Sequence, residues 1–184
     1  MREKKFENSD LDQASGFSLV YDHFSPLIWK HIFLRISLKE ETNDLTSEVF
    51  LKTWDYLNSG RKIQKIKSFL YRTADNLVID WYRSRKKIFS LEKDISEDED
   101  VLIVESEMEN NLMIAEDVVL LMKNINRLDE KEKRLLILRF VDDLKIDEIS
   151  EVLSKSRGAV TVAIHRALKS LMVIVNAEKK DEKE

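Results

Sequence analysis

The sequence predicts an all-α protein built as two small helical domains joined by an acidic linker, and three observations lead there. The 184 residues include three Gly and one Pro, too few for a sandwich or barrel, whose many turns draw on both residue types. Apolar residues recur at three- and four-residue steps in several separate stretches, the period of a helix with one buried face. Charge is segregated along the chain into basic, acidic and basic blocks, which divides the sequence into two structured halves and a spacer.

The elements follow in chain order. Residues 1–15 are polar and read as a flexible N-terminus. Phe17, Val20, Tyr21, Phe24, Leu27, Ile28, His31 and Ile32 then mark a helix, with Pro26 inside it removing one backbone hydrogen bond and favouring a bend. Thr42-Asn43-Asp44 offers N-cap chemistry ahead of a second helix bearing Leu45, Val49, Leu51 and Trp54, with Trp54 assigned to the core. Asn58-Ser59-Gly60 closes it, Gly following the helix end. A basic loop runs from Arg61 to about Lys67. Leu70, Ala74, Leu77 and Trp81 line a third helix reaching about Lys87, so the first domain spans 16–88.

Residues 89–111 form the acidic linker, relieved by the apolar run Val101-Leu102-Ile103-Val104. Helical period resumes near Leu112 and continues through Val118, Leu121, Met122 and Ile125. Leu128-Asp129 starts a further helix bearing Leu135, Leu136, Leu138 and Phe140. Two more short helices complete a second domain over 112–175, and 176–184 is a charged tail.

Composition excludes several classes. There is no Cys, hence no disulfide framework and no thiolate metal site. No uninterrupted apolar run approaches the roughly 18–20 residues that span a bilayer, and the N-terminus lacks a signal-peptide pattern. The expectation is a cytoplasmic protein without membrane insertion. No Gly-rich phosphate loop, metal-ligand cluster or nucleophile–base pair is visible, so neither catalysis nor a cofactor or metal is expected.

The net charge of −4 conceals its distribution. From Arg61 to Lys87 nine basic residues (Arg61, Lys62, Lys65, Lys67, Arg72, Arg83, Arg85, Lys86, Lys87) face two acids, Asp75 and Asp80. From Ile88 to Asn110 nine acids face Lys93 alone. From Leu153 to Met172 there are Lys155, Arg157, Arg166 and Lys169 and no acid. Two polyanion-binding surfaces separated by a repellent spacer fit this order.

The second basic block carries the sharpest local pattern. Asp147 to Leu153 reads as a short helix with Ile149 and Leu153 inward, Ser154-Lys155-Ser156 as a turn, and Ser156 as the cap of the next helix. That helix places Val160, Ile164, Leu168 and Leu171 on one face and Arg157, Thr161, Val162, His165, Arg166 and Lys169 on the other. Two helices joined by a short turn, the second basic outward, is the helix-turn-helix outline. A helix of this kind fits the major groove, where each base pair shows a distinct donor and acceptor pattern. An ordinary helical hairpin shares the outline but has no reason to lack acids over some twenty residues.

At these residues the chain resembles a family. Leu128 to Phe140, Ile146-Asp147-Glu148-Ile149-Ser150, Gly158-Ala159-Val160 and His165-Arg166-Ala167-Leu168 together resemble the −35-reading domain of sigma factors, although relatives carry Gly in the turn where Ser154 stands here. Asp44 to Trp54 is similar to the sigma segment that docks on the clamp of RNA polymerase, which implies polymerase contacts from Asp44, Leu45, Glu48, Val49 and Phe50. Ile66 to Lys87 resembles the −10-reading helix of the extracytoplasmic-function group, where a loop and a polar helix face hold a flipped base. The resemblance implies promoter contacts in the Ser59–Lys67 loop (Arg61, Lys62, Lys65, Lys67), at Asn76, and from Arg83, Arg85 and Lys86. Among the aromatics interleaved there, Phe69, Tyr71, Trp81 and Tyr82, Trp81 reads as core while Tyr71 and Tyr82 are open to either role.

The resemblance covers Phe17–Lys87 and Leu112–Met172 in the family's order. It implies a non-catalytic subunit that binds core RNA polymerase and directs initiation at promoters with −10 and −35 elements, with an anti-sigma factor as a further partner. It also implies that the acidic linker, Glu97–Asp100 included, threads near the polymerase active centre. The alternative is a stand-alone helix-turn-helix regulator that binds duplex DNA without polymerase.

Overall fold

In the computed structural model, residues 14–89 and 123–181 are described. Every regular element among them is helical. The chain divides into two units, Met1–Ser96 and Glu97–Glu184. The linker beyond Phe89, with Val101–Val104 and Glu97–Asp100, lies outside the described residues, as do Leu112, Val118, Leu121 and Met122.

The first unit is three mutually packed helices: α1 (Ala14–Ile36), α2 (Lys39–Asn58) and α3 (Ile66–Phe89). Helix α1 buries Val20, Phe24, Ile28 and Ile32 at four-residue steps, and α3 answers with Leu70, Ala74 and Val78. Each large apolar side chain so buried contributes about 1.5–3 kcal/mol. Pro26 sits within α1 without ending it; Pro26 and Asp22 are both exposed, so water can serve the carbonyl that loses its donor. Across this core the Arg35 guanidinium meets the Asp75 carboxylate at 2.7 Å, with side chains 2% and 0% exposed. The Tyr82 hydroxyl donates to the Arg35 carbonyl, so α3 holds the end of α1 at two points.

Three expectations change here. Helix α2 starts at Lys39, so Thr42-Asn43-Asp44 lies inside it rather than capping it. Ser37, at φ 56°, ends α1 with its N–H donating to the Phe33 carbonyl, and α2 begins two residues later with Glu40 and Glu41 in its first turn, favourable to the helix dipole. Thr42 instead turns its hydroxyl to the Leu38 carbonyl at 2.7 Å. Second, Val78 takes the innermost place on α3, while Leu77 and Trp81 are only half-buried. Third, Trp54 is also half-buried, with its ring against Phe17 at 5.0 Å.

The second unit begins with helical residues 123–126, then α4 (Glu130–Leu136), a π-helical turn (Ile137–Val141), α5 (Ile146–Leu153) and α6 (Arg157–Asp181). Asp129 caps α4, accepting from the N–H groups of Lys131 and Glu132 at 2.8 and 2.9 Å. The π-turn adds a residue to the helical register, and Phe140, expected alongside Leu138, is consequently 54% exposed while Leu138 is fully buried. Leu128, Leu136 and Ala167 form a core cluster against which Leu168, Leu171 and Ile174 pack. Helix α6 is not short, running 25 residues and continuing in helical backbone through Asp181, across most of the expected charged tail. Ala177, Glu178, Lys179 and Lys180 in that stretch are good helix formers.

Candidate nucleic-acid and polymerase interfaces

Helices α5 and α6 build the expected helix-turn-helix. Glu148 accepts the Lys145 backbone N–H at 2.7 Å and fixes the start of α5. Ile149 and Val152 are its buried residues, Val152 taking the place expected of Leu153, which is half-buried. Ser154 ends the helix at φ 51° and ψ 44°, a left-handed conformation that a side chain adopts at a cost of roughly 1–2 kcal/mol. Ser156 Oγ accepts from the Ala159 N–H at 3.3 Å and opens α6.

Helix α6 buries Val160, Ile164 and Ala167. All six residues assigned to its outer face, Arg157, Thr161, Val162, His165, Arg166 and Lys169, are exposed, and Val162 among them is a large apolar side chain at 50% exposure. The acid-free surface expected there is modified at one point. Arg157 Nε meets Asp147 Oδ1, from the first turn of α5, at 2.7 Å; scanning α6 alone misses this acid, because it arrives from a neighbouring helix. By length and composition α6 from Arg157 to Ala177 passes for a membrane-crossing helix, with mean hydropathy 1.5, yet Arg166 and Lys169 stand exposed in the middle of it.

In the first unit the basic loop is pinned by Ile63, which is 4% exposed, leaving Arg61, Lys62 and Lys65 at the surface. The Arg61 guanidinium lies 5.1 Å from the Tyr56 ring centroid. Lys67 is half-buried and belongs to α3 rather than to the loop. Asn76 is exposed on α3 between Arg72 and Asp80, one turn to either side, and Arg83 follows. Arg72, counted in the basic block but not among the expected promoter contacts, is exposed four residues before Asn76, on the same face of α3.

Two of the basic residues expected to make promoter contacts are already engaged. Arg83 pairs with Asp80 at 3.2 Å in the open. Arg85 pairs with Glu41 of α2 at 3.3 Å and lies over the Trp81 ring at 4.6 Å. Lys86 belongs to the helical backbone of α3, and its side chain lies outside the described set. Of the aromatics, Tyr71 is core, 1% exposed and edge-on to His31. Tyr82 is tied to Arg35 as above, and Phe69 is half-buried against Tyr56 at 4.8 Å.

On α2, Asp44 is exposed and Leu45 and Glu48 are half-exposed. Val49 and Phe50 are 0% and 3% exposed, so they present no surface and a partner would not reach them. Phe50 packs against Tyr21 at 4.8 Å. Leu51, 60% exposed, supplies apolar surface on this helix, and Glu48 pairs with Lys52 at 3.1 Å.

Comparison with known proteins matches both units. Residues 20–88 match the family model Sigma-70 region 2, and residues 119–171 match Sigma-70, region 4. The ECF RNA polymerase sigma factor BldN of Streptomyces coelicolor is 28% identical over 90% of this chain, which spans 62% of that relative's length. RNA polymerase sigma factor SigZ of Bacillus subtilis is 30% identical over 80% of each chain. The fold is also that of the sigma factor RpoE, solved in complex with the anti-sigma factor NepR from Bartonella quintana, at a TM-score of 0.68 and 14% identity over 87% of this chain and 96% of that one. With both regions in order, and a relative at 30% identity across most of its length, the chain belongs to the sigma-70 family of RNA polymerase sigma factors, in the extracytoplasmic-function (ECF) group.

Proposed function

We propose that this sigma factor binds core RNA polymerase through the exposed part of α2 and reads two promoter elements, the −35 element through α6 and the −10 element through the Arg61–Lys65 loop and the Arg72–Asn76 face of α3. Sigma factors in general are not enzymes and act in the cytoplasm, and this chain is assigned the same place and the same lack of catalysis. The observation that carries the reading is the α6 surface. Six side chains capable of base or phosphate contact stand exposed over a buried Val160–Ile164–Ala167 seam, in a unit that matches region 4.

Energetics require the polymerase. Opening duplex DNA costs about 1.4 kcal/mol per base-pair step, on the order of 14 kcal/mol for a bubble of about ten steps. Holding a flipped base returns roughly 1–3 kcal/mol by stacking. With Tyr71 buried and Tyr82 tied to Arg35, few aromatics remain for stacking on α3, which lowers that return further. Two weak readers on one chain gain from tethering, since the second contact becomes intramolecular once the first is made. An anti-sigma factor, as in the RpoE complex, is the natural restraint on such a subunit.

Transcription in vitro with and without core polymerase tests the proposal. Weak duplex binding by the pure protein and promoter-specific transcripts only with core polymerase are expected. A tight operator complex formed by the protein alone, with no transcript on addition of core polymerase, would favour the stand-alone regulator.

A further inference from the structure

Arg157 is the first residue of α6, and it is engaged through both its backbone and its side chain. Its carbonyl accepts the Thr161 hydroxyl at 2.9 Å. Its Nε meets Asp147 Oδ1 at 2.7 Å. The side chains are 74% and 56% exposed, and ion pairs so open to water add little to folding stability. The contact therefore has small value as a brace for the fold, and its effect is on where the guanidinium points.

Two consequences follow for a helix whose N-terminal turn enters the major groove. An arginine held at the start of that helix and still 74% exposed offers a guanidinium whose paired N–H donors match guanine O6 and N7. A carboxylate beside it lowers the local positive charge and repels phosphate, making the pair a poor backbone clamp. Lys155, Arg166 and Lys169, also exposed in this unit, are left to supply attraction to the backbone.

We propose that Asp147 and Arg157 act as one base-reading unit, Arg157 contacting a guanine within the −35 element and Asp147 serving as its positioning residue, so that the pair sets specificity at a single base pair. This rests on α6 being the −35 reader.

The test uses the full chain with core RNA polymerase on a promoter library randomised across the −35 element, with transcripts sequenced. Wild type should prefer guanine at one position. Arg157→Ala should reduce that preference roughly 5- to 100-fold, leaving other positions within about twofold. Asp147→Asn should weaken preference at the same position while total transcript holds or rises, because an acid facing DNA is gone; Asp147→Glu should retain more of the preference than Asp147→Asn. A merely structural role would flatten all positions together, and that result overturns the proposal. So does unchanged preference in either Asp147→Asn or Arg157→Ala. If the wild-type chain selects no −35 sequence at all, the promoter reading fails and the pair fails with it.

Discussion

The two units present the residues proposed to bind in opposite ways. In the second, one amphipathic helix supplies most of the surface, and the six residues assigned to its outer face are all exposed. In the first, the surface is assembled from a loop, one face of α3 and part of α2, and several of its charges are engaged within the unit: Arg85 with Glu41, Arg83 with Asp80, Glu48 with Lys52. A surface made by one helix follows from its period. A surface made by three segments depends on packing that no single segment encodes.

The units also differ in what holds them. The first adds a buried ion pair between α1 and α3 to its apolar core, while the second combines helix caps with an apolar seam. All three Trp residues (Trp29, Trp54, Trp81) fall in the first, so Trp fluorescence follows that unit alone while circular dichroism follows both. The largest expected effect exploits this. Asp75→Ala strands the Arg35 guanidinium in the core and should cost the first unit about 3–5 kcal/mol. Denaturant titration should show the fluorescence transition moving to much lower denaturant, with a second, unshifted transition remaining by circular dichroism. Equal displacement of both would mean the units fold as one.

A second substitution attacks the other side. Val162→Glu with Arg166→Glu places two acids on the outer face of α6 without touching its seam. Transcription from a promoter dependent on a −35 element should fall at least tenfold, with fluorescence and melting unchanged. Retained transcription would remove α6 from DNA recognition. The smallest effect concerns Ser154 at φ 51°. Ser154→Gly relieves the left-handed strain, partly offset by glycine's greater chain entropy, and should stabilise the second unit by about 0.5–1 kcal/mol, read as a later circular-dichroism transition with fluorescence unmoved.

The same contrast decides how far the sequence could be read. Val160, Ile164 and the six outer residues of α6 were legible because a 3.6-residue period sorts them without knowledge of neighbours. Asp147 beside Arg157 was not, since the pair is made across the turn between two helices. On α2 the period gave a helix, but Val49 and Phe50 went to the core and Leu51 to the surface once α1 and α3 had packed. The start of α2 was missed because Ser37 breaks the chain with a positive φ, a conformation more often supplied by Gly or Asn. Phe140 was misplaced because a π-turn shifts register by one residue, and nothing in residues 137–141 announces it.

The central claim is that two units read two separate promoter elements on behalf of core polymerase. Its most direct test is transcription by the full chain and core polymerase from a library randomised across the whole promoter, comparing wild type, Val162→Glu with Arg166→Glu, and Asn76→Ala. Two preferred sequence blocks are expected for wild type, with the α6 variant losing only the upstream block and Asn76→Ala altering only the downstream one. A single block, or both variants altering the same block, would contradict the claim.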